Sequence, residues 1–330
     1  MGGMVGIQQE LCLNNRYEKP ACQLCRLHCP QGCIHGDLQI DLKRCDDCGL
    51  CLSACPAEAI GGAAYSGESL DALMKSAESP LFFSCCRQDS QSGWPCLGFL
   101  DARLLLASVY SGPEEDRQVV VDDRACARCK PAVAAYVQEL LRDVGEMLRA
   151  AGKTPLIHGE AVGTVKRREK QVSRRSFFTG MIGEALHVVR EIAGNNTCCE
   201  ALPRQALFAR HAGPFSLSGP ISTKFFFGIA ISDACRACGL CTRICPRQAI
   251  TVQDQGQILE FYHLPQNCTG CGVCAAHCPQ GALSLGPAPA LAKYHVATRP
   301  LPRCIRCGSL YQPVGKQVLC LECLWKETCD

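Results

Sequence analysis

The stretches CRACGLCTRICP (235–246) and CTGCGVCAAHCP (268–279) share one spacing, C-x2-C-x2-C-x3-C-P. The spacing occurs intact a third time in CDDCGLCLSACP (45–56), and a fourth copy, CQLCRLHCP (22–30), lacks its first cysteine. The tails that follow also align residue for residue: CPQGCI (29–34), CPAEAI (55–60), CPRQAI (245–250) and CPQGAL (278–283). This alignment indicates an internal repeat, with one pair of motifs towards each end of the chain.

The spacing is typical of iron–sulfur binding. Three cysteines of such a run hold one [4Fe–4S] cluster, and the fourth holds the cluster of the neighbouring run. Each pair of motifs therefore resembles the bacterial two-cluster ferredoxins, which implies a ferredoxin-like dicluster module at each end. In the C-terminal pair this predicts two ligand sets, Cys235, Cys238, Cys241 with Cys278, and Cys268, Cys271, Cys274 with Cys245.

The N-terminal pair needs a substitute for one cysteine, because Lys19 stands where the first cysteine of the damaged motif belongs. Cys12 is the nearest spare thiol, and the alternative is a cluster with three protein ligands and an open iron corner. Cys33 takes the slot that alanine fills in the other three tails, so we predict a packing role for it. The predicted ligand sets are Cys12, Cys22, Cys25 with Cys55, and Cys45, Cys48, Cys51 with Cys29.

Two other uses of so many cysteines fit the pattern less well. A zinc site takes one tetrahedron of four ligands, usually from two separated C-x2-C pairs. Disulfides need an oxidising compartment, and residues 1–17 lack the charged and apolar regions of a signal peptide. We therefore expect reduced cysteines, four [4Fe–4S] clusters and a cytoplasmic location.

Charge and hydropathy exclude further classes. The net charge of +3 indicates no polyanionic partner such as a nucleic acid. The longest apolar runs, 81–83, 104–109 and 225–231, are too short to span a membrane. We also find no glycine-rich nucleotide fingerprint and no acid–base constellation, so a catalytic role of the chain on its own is not expected.

The middle third alternates between strand and helix patterns, which predicts an α/β domain with a parallel sheet. The predicted elements are helices over 69–77, 100–110 and 132–151 and strands over 81–84, 118–121 and 154–158. Five cysteines fall near the carboxyl ends of these strands, where ligands gather in open α/β sheets. They are Cys85, Cys86, Cys96, Cys126 and Cys129.

Three stretches of this region, FFSCC (82–86), PCLGFLDARLLLA (95–107) and ACARC (125–129), resemble the delta subunit of methyl-viologen-reducing hydrogenase. The resemblance covers about 80 residues and implies a [2Fe–2S] centre on the five cysteines. The chain departs from the family because Cys85 and Cys86 are adjacent rather than spaced. Two alternatives are a redox-active Cys126/Cys129 thiol pair at a helix start and a merely packed set of thiols.

Residues 161–224 are predicted to form a linker. It contains the charge run KRREK (166–170) and SRRSFF (173–178), which is similar to a twin-arginine export motif. The motif lies far from the N-terminus, so an amphipathic docking helix is the preferred interpretation. Cys198 and Cys199 have no ligand spacing and are expected to be free or packed thiols.

The C-terminal tail has two C-x2-C pairs twelve residues apart, which predicts one tetrahedral site of zinc-ribbon or rubredoxin type. Zinc is preferred over iron, because zinc binding would itself fold so short a segment. The site residues are Cys304, Cys307, Cys320 and Cys323.

The predicted organisation is thus a multidomain α+β chain. Two dicluster modules (1–65 and 225–290) flank the α/β domain (66–160) and the linker, and a zinc-ribbon-like knuckle (291–330) follows. The combination resembles a polyferredoxin fused to a hydrogenase delta-type domain. It implies single-electron transfer in anaerobic metabolism, with a hydrogenase, a formate dehydrogenase or a heterodisulfide-reductase-like flavoprotein as partner. A cluster enzyme with an open iron site, and a thiol or cluster redox sensor or assembly scaffold, are the alternatives.

Overall fold

The computed structural model describes residues 5–19, 21–62, 65–76, 79–89, 94–111, 117–153, 156–165, 204–212, 218–221, 225–314 and 317–329. The charge run, the twin-arginine stretch with its predicted docking helix, and Cys198 and Cys199 lie outside the described residues. None of the helices in the described part of the chain combines the length and the apolar character that a bilayer crossing requires.

The N-terminal motifs form short helices linked by loops, closed by a two-stranded antiparallel ribbon. The ribbon pairs Val5 with Gly62 and Ile7 with Ile60, so it ties the start of the chain to the end of the second motif. The elements are β1 (Val5–Ile7), α1 (Leu13–Arg16), α2 (Leu24–Leu27), α3 (Leu50–Ala54) and β2 (Ile60–Gly62).

The middle third contains a three-stranded parallel sheet with helical connections between its strands. The elements are α4 (Gly67–Lys75), β3 (Leu81–Phe83), α5 (Ala102–Tyr110), β4 (Val119–Val121), α6 (Cys126–Cys129), α7 (Pro131–Ala150) and β5 (Ile157–His158). The strand order is β3-β4-β5, with Leu81 paired to Val119 and Val120 paired to Ile157. The parallel sheet predicted from the strand–helix alternation is therefore confirmed.

The helix α7 shows why this layer is stable. Its buried residues recur at helical spacing, and Pro131 occupies the first turn, where a missing N–H costs nothing. The apolar residues of α7 with less than 2 % exposure are Val133, Val137, Leu140, Leu141, Val144 and Leu148. Burial of each such side chain stabilises the fold by about 1.5–3 kcal/mol before the entropy of ordering is subtracted.

The C-terminal motifs lie between two antiparallel three-stranded sheets, ordered β6-β10-β7 and β11-β9-β8. The elements of this part are α8 (Arg204–Ala212), β6 (Ser218–Ile221), β7 (Phe227–Ile231), α9 (Leu240–Ile244), β8 (Ile250–Asp254), β9 (Ile258–His263), α10 (Val273–Ala276), β10 (Leu283–Ala290) and β11 (Tyr294–Pro300).

The structure differs from two of the predicted boundaries. The helix α8 and the strand β6 lie inside the predicted linker, and β6 pairs with β10 of the ferredoxin-type part. The strand β11 lies beyond the predicted end at residue 290, where it adds to the free edge of β9. Both differences arise from long-range strand pairing, which the local cysteine spacing does not reveal.

In the tail, the first cysteine pair lies in a tight turn and the second at the start of α11 (Leu321–Cys329). A single antiparallel bridge, Arg303 to Leu310, closes the turn. Three of the four tail thiols form a small cluster of buried residues with Tyr311 and Leu319 packed against them. The zinc-ribbon description of this segment stays a prediction.

Candidate metal centres

Each intact motif folds in the same way. A glycine in the left-handed region precedes a helix of about one turn, and in two of the motifs the helix ends directly at the cysteine before the proline. The glycines are Gly49, Gly239 and Gly272, with φ of 80°, 68° and 73°. A side chain disfavours this conformation, so glycine at this place lets the backbone turn sharply around the space in front of the cysteines.

The two C-terminal motifs surround two separate cavities. A cavity of about 320 Å³ is lined by Cys235, Cys238, Cys241 and Cys278. A second cavity, of about 340 Å³, is lined by Cys245, Cys268, Cys271 and Cys274. Each motif thus contributes three thiols to one cavity and its fourth thiol to the other, which is the exchange that the spacing predicts.

The second N-terminal motif surrounds a cavity of similar size, about 350 Å³, lined by Cys29, Cys45, Cys48 and Cys51. Cys33 also lies in this lining, with its Sγ 3.4 Å from the Sγ of Cys29. Its exposure is 2 %, against 1 %, 1 % and 4 % for Ala59, Ala249 and Ala282, the alanines at the same place in the repeat. Burial at this position is therefore common to all four tails.

The damaged motif gathers its thiols around Cys25. Burial and the negative charges of Cys55, Cys22 and Cys12 raise the pKa of the Cys25 thiol to about 11. Asn14 holds the loop between Cys12 and Cys22: its side-chain oxygen accepts from the Cys22 N–H at 2.7 Å, and its amide donates to the Cys22 carbonyl at 2.8 Å. The structure thus places Cys12 near Cys22, Cys25 and Cys55, the group for which the motif spacing provides only three cysteines.

The thiols of the ferredoxin-type motifs lie in surroundings that disfavour their ionised form. Burial and neighbouring thiolates raise the pKa of Cys241 and of Cys274, each to about 12. The same causes raise the pKa of Cys51. Four thiolates packed around one space repel each other and lose hydration. A cationic centre between them would offset the free energy of this repulsion and desolvation. The donor set of each group therefore fits an iron–sulfur cluster.

The middle region brings together four of its five predicted thiols. Burial and the negative charges of Cys96, Cys85, Asp123 and Cys129 raise the pKa of the Cys126 thiol to about 12. Cys85 follows β3, whereas Cys126 and Cys129 lie on the short helix after β4, so the carboxyl ends of two parallel strands define the group.

Cys86 differs from the other four. It is exposed, and its Sγ donates to the carbonyl oxygen of Pro95 at 3.6 Å. A turn begins at Cys85, whose carbonyl accepts from the Gln88 and Asp89 N–H groups, and Cys85 is buried whereas Cys86 is exposed. Within the group, Arg87 donates to the Sγ of Cys129 at 3.2 Å, which places a guanidinium against one of the thiols.

The tail thiols are much closer to one another. The ligand atoms of Cys304, Cys307, Cys320 and Cys323 all lie within 4.8 Å, and the Sγ atoms of Cys307 and Cys320 are 3.7 Å apart. A tetrahedral zinc with bonds of about 2.3 Å would need sulfurs about 3.8 Å apart. No other group of three cysteine, histidine or carboxylate ligands in the described part of the chain is this compact. The tail thus fits a mononuclear ion, whereas the wider groups fit polynuclear clusters.

The backbone also favours a thiolate in the tail. Burial disfavours ionisation of Cys304, but the N–H groups of Cys320, Cys307 and Arg306 outweigh burial and lower the pKa of the Cys304 thiol to about 6. A thiolate is the form of cysteine that binds metal.

Contacts between the parts of the chain bring the thiol groups next to each other. Gly98, two residues after Cys96, packs against the backbone of Cys48. Lys130, directly after Cys129, donates to the Asp46 carbonyl and lies 3.2 Å from the Asp46 carboxylate. The middle thiols therefore lie beside the CDDCGLC loop.

A second set of contacts joins the two ferredoxin-type parts. The hydroxyl of Tyr17 donates to the carbonyl of Ile244 at 3.0 Å, and its ring stacks edge-on against His277 at 5.8 Å. These two residues directly precede Cys245 and Cys278. Arg247 lies 3.0 Å from the carboxylate of Glu58.

The buried Arg103 of α5 reaches the C-terminal part as well. It donates to the carbonyl of Gln266 at 2.9 Å and to that of Cys268 at 2.5 Å. In the tail, the Gln312 amide donates to the Cys238 carbonyl at 3.2 Å. Sequence reasoning missed Arg103, Tyr17 and Gln312, because no local pattern marks a side chain that binds a backbone carbonyl far along the chain.

Comparison with known proteins agrees with this geometry. A family described as a 4Fe-4S dicluster domain matches residues 234–282, and one described as a 4Fe-4S binding domain matches residues 38–61. The pyruvate synthase subunit PorD of Methanothermobacter marburgensis is 46% identical over 39 residues, which are 12% of this chain and 48% of that protein. The chain thus matches about half the length of this relative. No solved structure matches the chain.

The matched motifs and the thiol-lined cavities define the class of domain: the chain contains ferredoxin-type 4Fe-4S domains at residues 38–61 and 234–282. The match at 38–61 takes in one N-terminal motif, and the damaged motif lies outside it. Neither match covers residues 66–160, so the likeness of the middle region to the hydrogenase delta subunit stays a prediction.

Proposed function

We propose that the chain is a polyferredoxin subunit that relays single electrons between redox enzymes. Four groups of cysteines would hold [4Fe–4S] clusters, each of which supplies a one-electron couple when bound. The proposed ligand sets are Cys12, Cys22, Cys25, Cys55; Cys29, Cys45, Cys48, Cys51; Cys235, Cys238, Cys241, Cys278; and Cys245, Cys268, Cys271, Cys274. Three cavities, each lined by one of the last three sets, support this assignment.

For the middle group we propose a [2Fe–2S] centre on Cys85, Cys96, Cys126 and Cys129. The buried position of the first three and the exposure of Cys86 support four ligands rather than five. For the tail we propose one zinc ion on Cys304, Cys307, Cys320 and Cys323, supported by the sulfur spacing. The zinc would fix the segment against the Cys238 loop, to which Gln312 binds.

The observation that carries the proposal is the chain of contacts between the thiol groups. The middle group adjoins the Cys48 loop through Gly98 and Lys130. The Cys48 and Cys25 groups exchange their fourth cysteines, and Tyr17 then reaches the carbonyl before Cys245. Successive redox stations in contact are what an electron relay needs, and no substrate pocket has to be invoked.

The partners are proposed by class. A hydrogenase, a formate dehydrogenase or a heterodisulfide-reductase-like flavoprotein would supply or accept the electrons, as the likeness to the hydrogenase delta subunit implies. The local similarity to a pyruvate synthase subunit adds an oxidoreductase of that kind as a further candidate.

Anaerobic iron, sulfide and zinc analysis of the purified chain, with EPR after graded reduction, tests the proposal. We expect about sixteen irons from four cubanes, about two more from the middle centre, and one zinc. Roughly half of this iron, or zinc in place of iron, would refute a relay of four cubanes.

Two neighbouring variants test the middle centre. Cys126→Ser is expected to lose the iron of that centre, because it removes a thiol at the heart of the group. Cys86→Ser, the matched control, is expected to retain it, because Cys86 is exposed and points to Pro95. Equal iron loss in both variants would contradict the four-ligand assignment.

A further inference from the structure

One cavity contains a polar side chain that no described contact satisfies. His263, the last residue of β9, is fully buried and lines the cavity with Cys245, Cys268, Cys271 and Cys274. Neither of its ring nitrogens has a hydrogen-bond partner among the residues that the structure describes. An unmade hydrogen bond at a buried polar group costs about 1–3 kcal/mol, so such a group in a native structure calls for a partner.

Tyr294, whose ring contacts His263, does not fill this role. The ring of Tyr294 stacks edge-on against His263 with 5.5 Å between centroids. Its hydroxyl, however, accepts from the Ile229 N–H at 2.9 Å and donates to the Ile229 carbonyl at 3.2 Å. Tyr294 therefore contacts His263 with its ring and not with its hydroxyl, and the ring nitrogens of His263 stay available to a group inside the cavity.

The internal repeat shows that the fold does not need an imidazole at this place. His263 stands five residues before Cys268 and pairs with Ile250. In the N-terminal part, Ile40 stands five residues before Cys45 and pairs with Ile34. The two isoleucines Ile34 and Ile250 occupy the same position in their tails. Ile40 lines the cavity of the Cys45 motif as His263 lines that of the Cys268 motif.

The ring can donate a hydrogen bond whatever its protonation state, because an imidazole carries at least one N–H. Burial lowers the pKa of His263 to about 4. Four cysteines already line the cavity, one for each iron of a cubane, so the ring is not required as a ligand.

We propose that His263 donates its ring N–H to a sulfur of the [4Fe–4S] cluster held by Cys245, Cys268, Cys271 and Cys274. A donor aimed at a cluster sulfur stabilises the reduced form, which carries one more negative charge, and so raises the reduction potential. This would make the cluster a better electron acceptor than its counterpart beside Ile40. The inference rests on the proposed ligand set for this cavity.

The test uses the full-length protein with its clusters, as wild type, His263→Ile, His263→Gln and Ile40→His. Iron and sulfide content is measured first, and midpoint potentials then follow from an EPR-monitored redox titration. With iron content unchanged, His263→Ile should shift one cluster to lower potential by about 59 mV, which is a tenfold fall in the equilibrium constant for reduction. His263→Gln, which keeps an N–H donor, should recover part of the shift.

The reverse variant keeps the proposal testable if His263→Ile fails to fold. Ile40→His should raise the potential of the cluster held by Cys29, Cys45, Cys48 and Cys51. Unchanged potentials in both His263→Ile and Ile40→His would overturn the proposal. Loss of one cluster's iron from His263→Gln would overturn it as well, because that loss would make His263 a ligand or a structural residue. Wild-type protein without [4Fe–4S] clusters would refute the proposed function instead.

Discussion

Gly98 brings the middle region into backbone contact with the CDDCGLC loop. The substitution Gly98→Ala, which adds a single methyl group, tests this contact. A Cβ atom at position 98 would lie 2.3 Å from the carbonyl oxygen of Cys48 and 3.1 Å from the amide nitrogen of Leu50. Both are backbone atoms, so neither can rotate aside. Ordinary van der Waals contact begins near 3.4 Å, so the two segments would have to separate by about 1.1 Å.

We therefore predict that Gly98→Ala destabilises the folded protein by about 1–3 kcal/mol, the usual cost of overpacking. The cost falls on the core that both regions share, because Leu97, Phe99 and Leu50 belong to one cluster of buried residues. Next to Gly98, the ring of Phe99 stacks on that of Trp94 at 4.9 Å and lies tilted against that of Tyr65 at 5.0 Å between centroids, so the separation would loosen this aromatic group as well.

Anaerobic unfolding in guanidinium chloride measures the effect. We expect a lower midpoint concentration of denaturant and an unchanged dependence of the unfolding free energy on denaturant. Gly61→Ala is the matched control, because a Cβ atom there meets nothing within 4 Å and Gly61 does not have a positive φ. The reasoning is refuted if the two variants unfold at the same denaturant concentration. A Gly98→Ala protein of wild-type stability would mean that the middle region does not pack on the Cys48 loop.

Three further predictions concern other parts of the chain. Cys304→Ser should lose the bound zinc and keep the iron of the ferredoxin-type motifs in metal analysis; loss of iron would contradict this. Leu104→Ala, at a fully buried position of α5, should cost about 2–5 kcal/mol in denaturant unfolding, and a cost below 1 kcal/mol would show that the core is not packed there. Burial disfavours the Asp71 carboxylate, but hydrogen bonds from Lys75, His211 and Arg210 outweigh it and lower its pKa to about 2. The stabilisation by Asp71 should therefore be complete above about pH 4 and fall as the pH drops towards 2, and Asp71→Asn should remove this part of the acid dependence in unfolding measured from pH 7 to pH 2.

The thiol groups at the C-terminal end could be predicted from the sequence because their geometry is local. Three cysteines at C-x2-C-x2-C spacing lie on one loop, and the helix after Gly239 or Gly272 carries the fourth towards the neighbouring cavity. The parallel sheet could be predicted for a similar reason, because a β-branched strand such as Val119–Val121 is buried on both faces.

Other features depend on contacts between distant parts of the chain. Spacing could not show which of the adjacent Cys85 and Cys86 is buried, because burial depends on the fold around the turn; in the structure Cys85 is buried and Cys86 is exposed. The strand β11 could not be assigned to the ferredoxin-type sheet from the sequence, because its pairing with β9 is seen only in the folded structure. His263 looks like an ordinary core residue in sequence, and its two unpaired nitrogens become visible only beside the cavity.

The two ferredoxin-type parts share the large apolar core to different extents. The N-terminal motifs share an apolar core with the middle region, in which Cys48, Cys96 and Phe99 belong to the same buried cluster. The strands and thiols around the Cys274 motif have a core of their own. The C-terminal part also contributes Phe226, Ala288 and Leu291 to the buried cluster that contains Cys48 and Cys96. Polar contacts made by Tyr17, Arg103 and Arg247 add to this apolar contact. Tyr17 of the N-terminal part and Arg103 of the middle region donate to the carbonyls of Ile244 and Cys268, which lie next to or at a proposed ligand cysteine, so these two side chains also position the two C-terminal loops relative to the rest of the molecule.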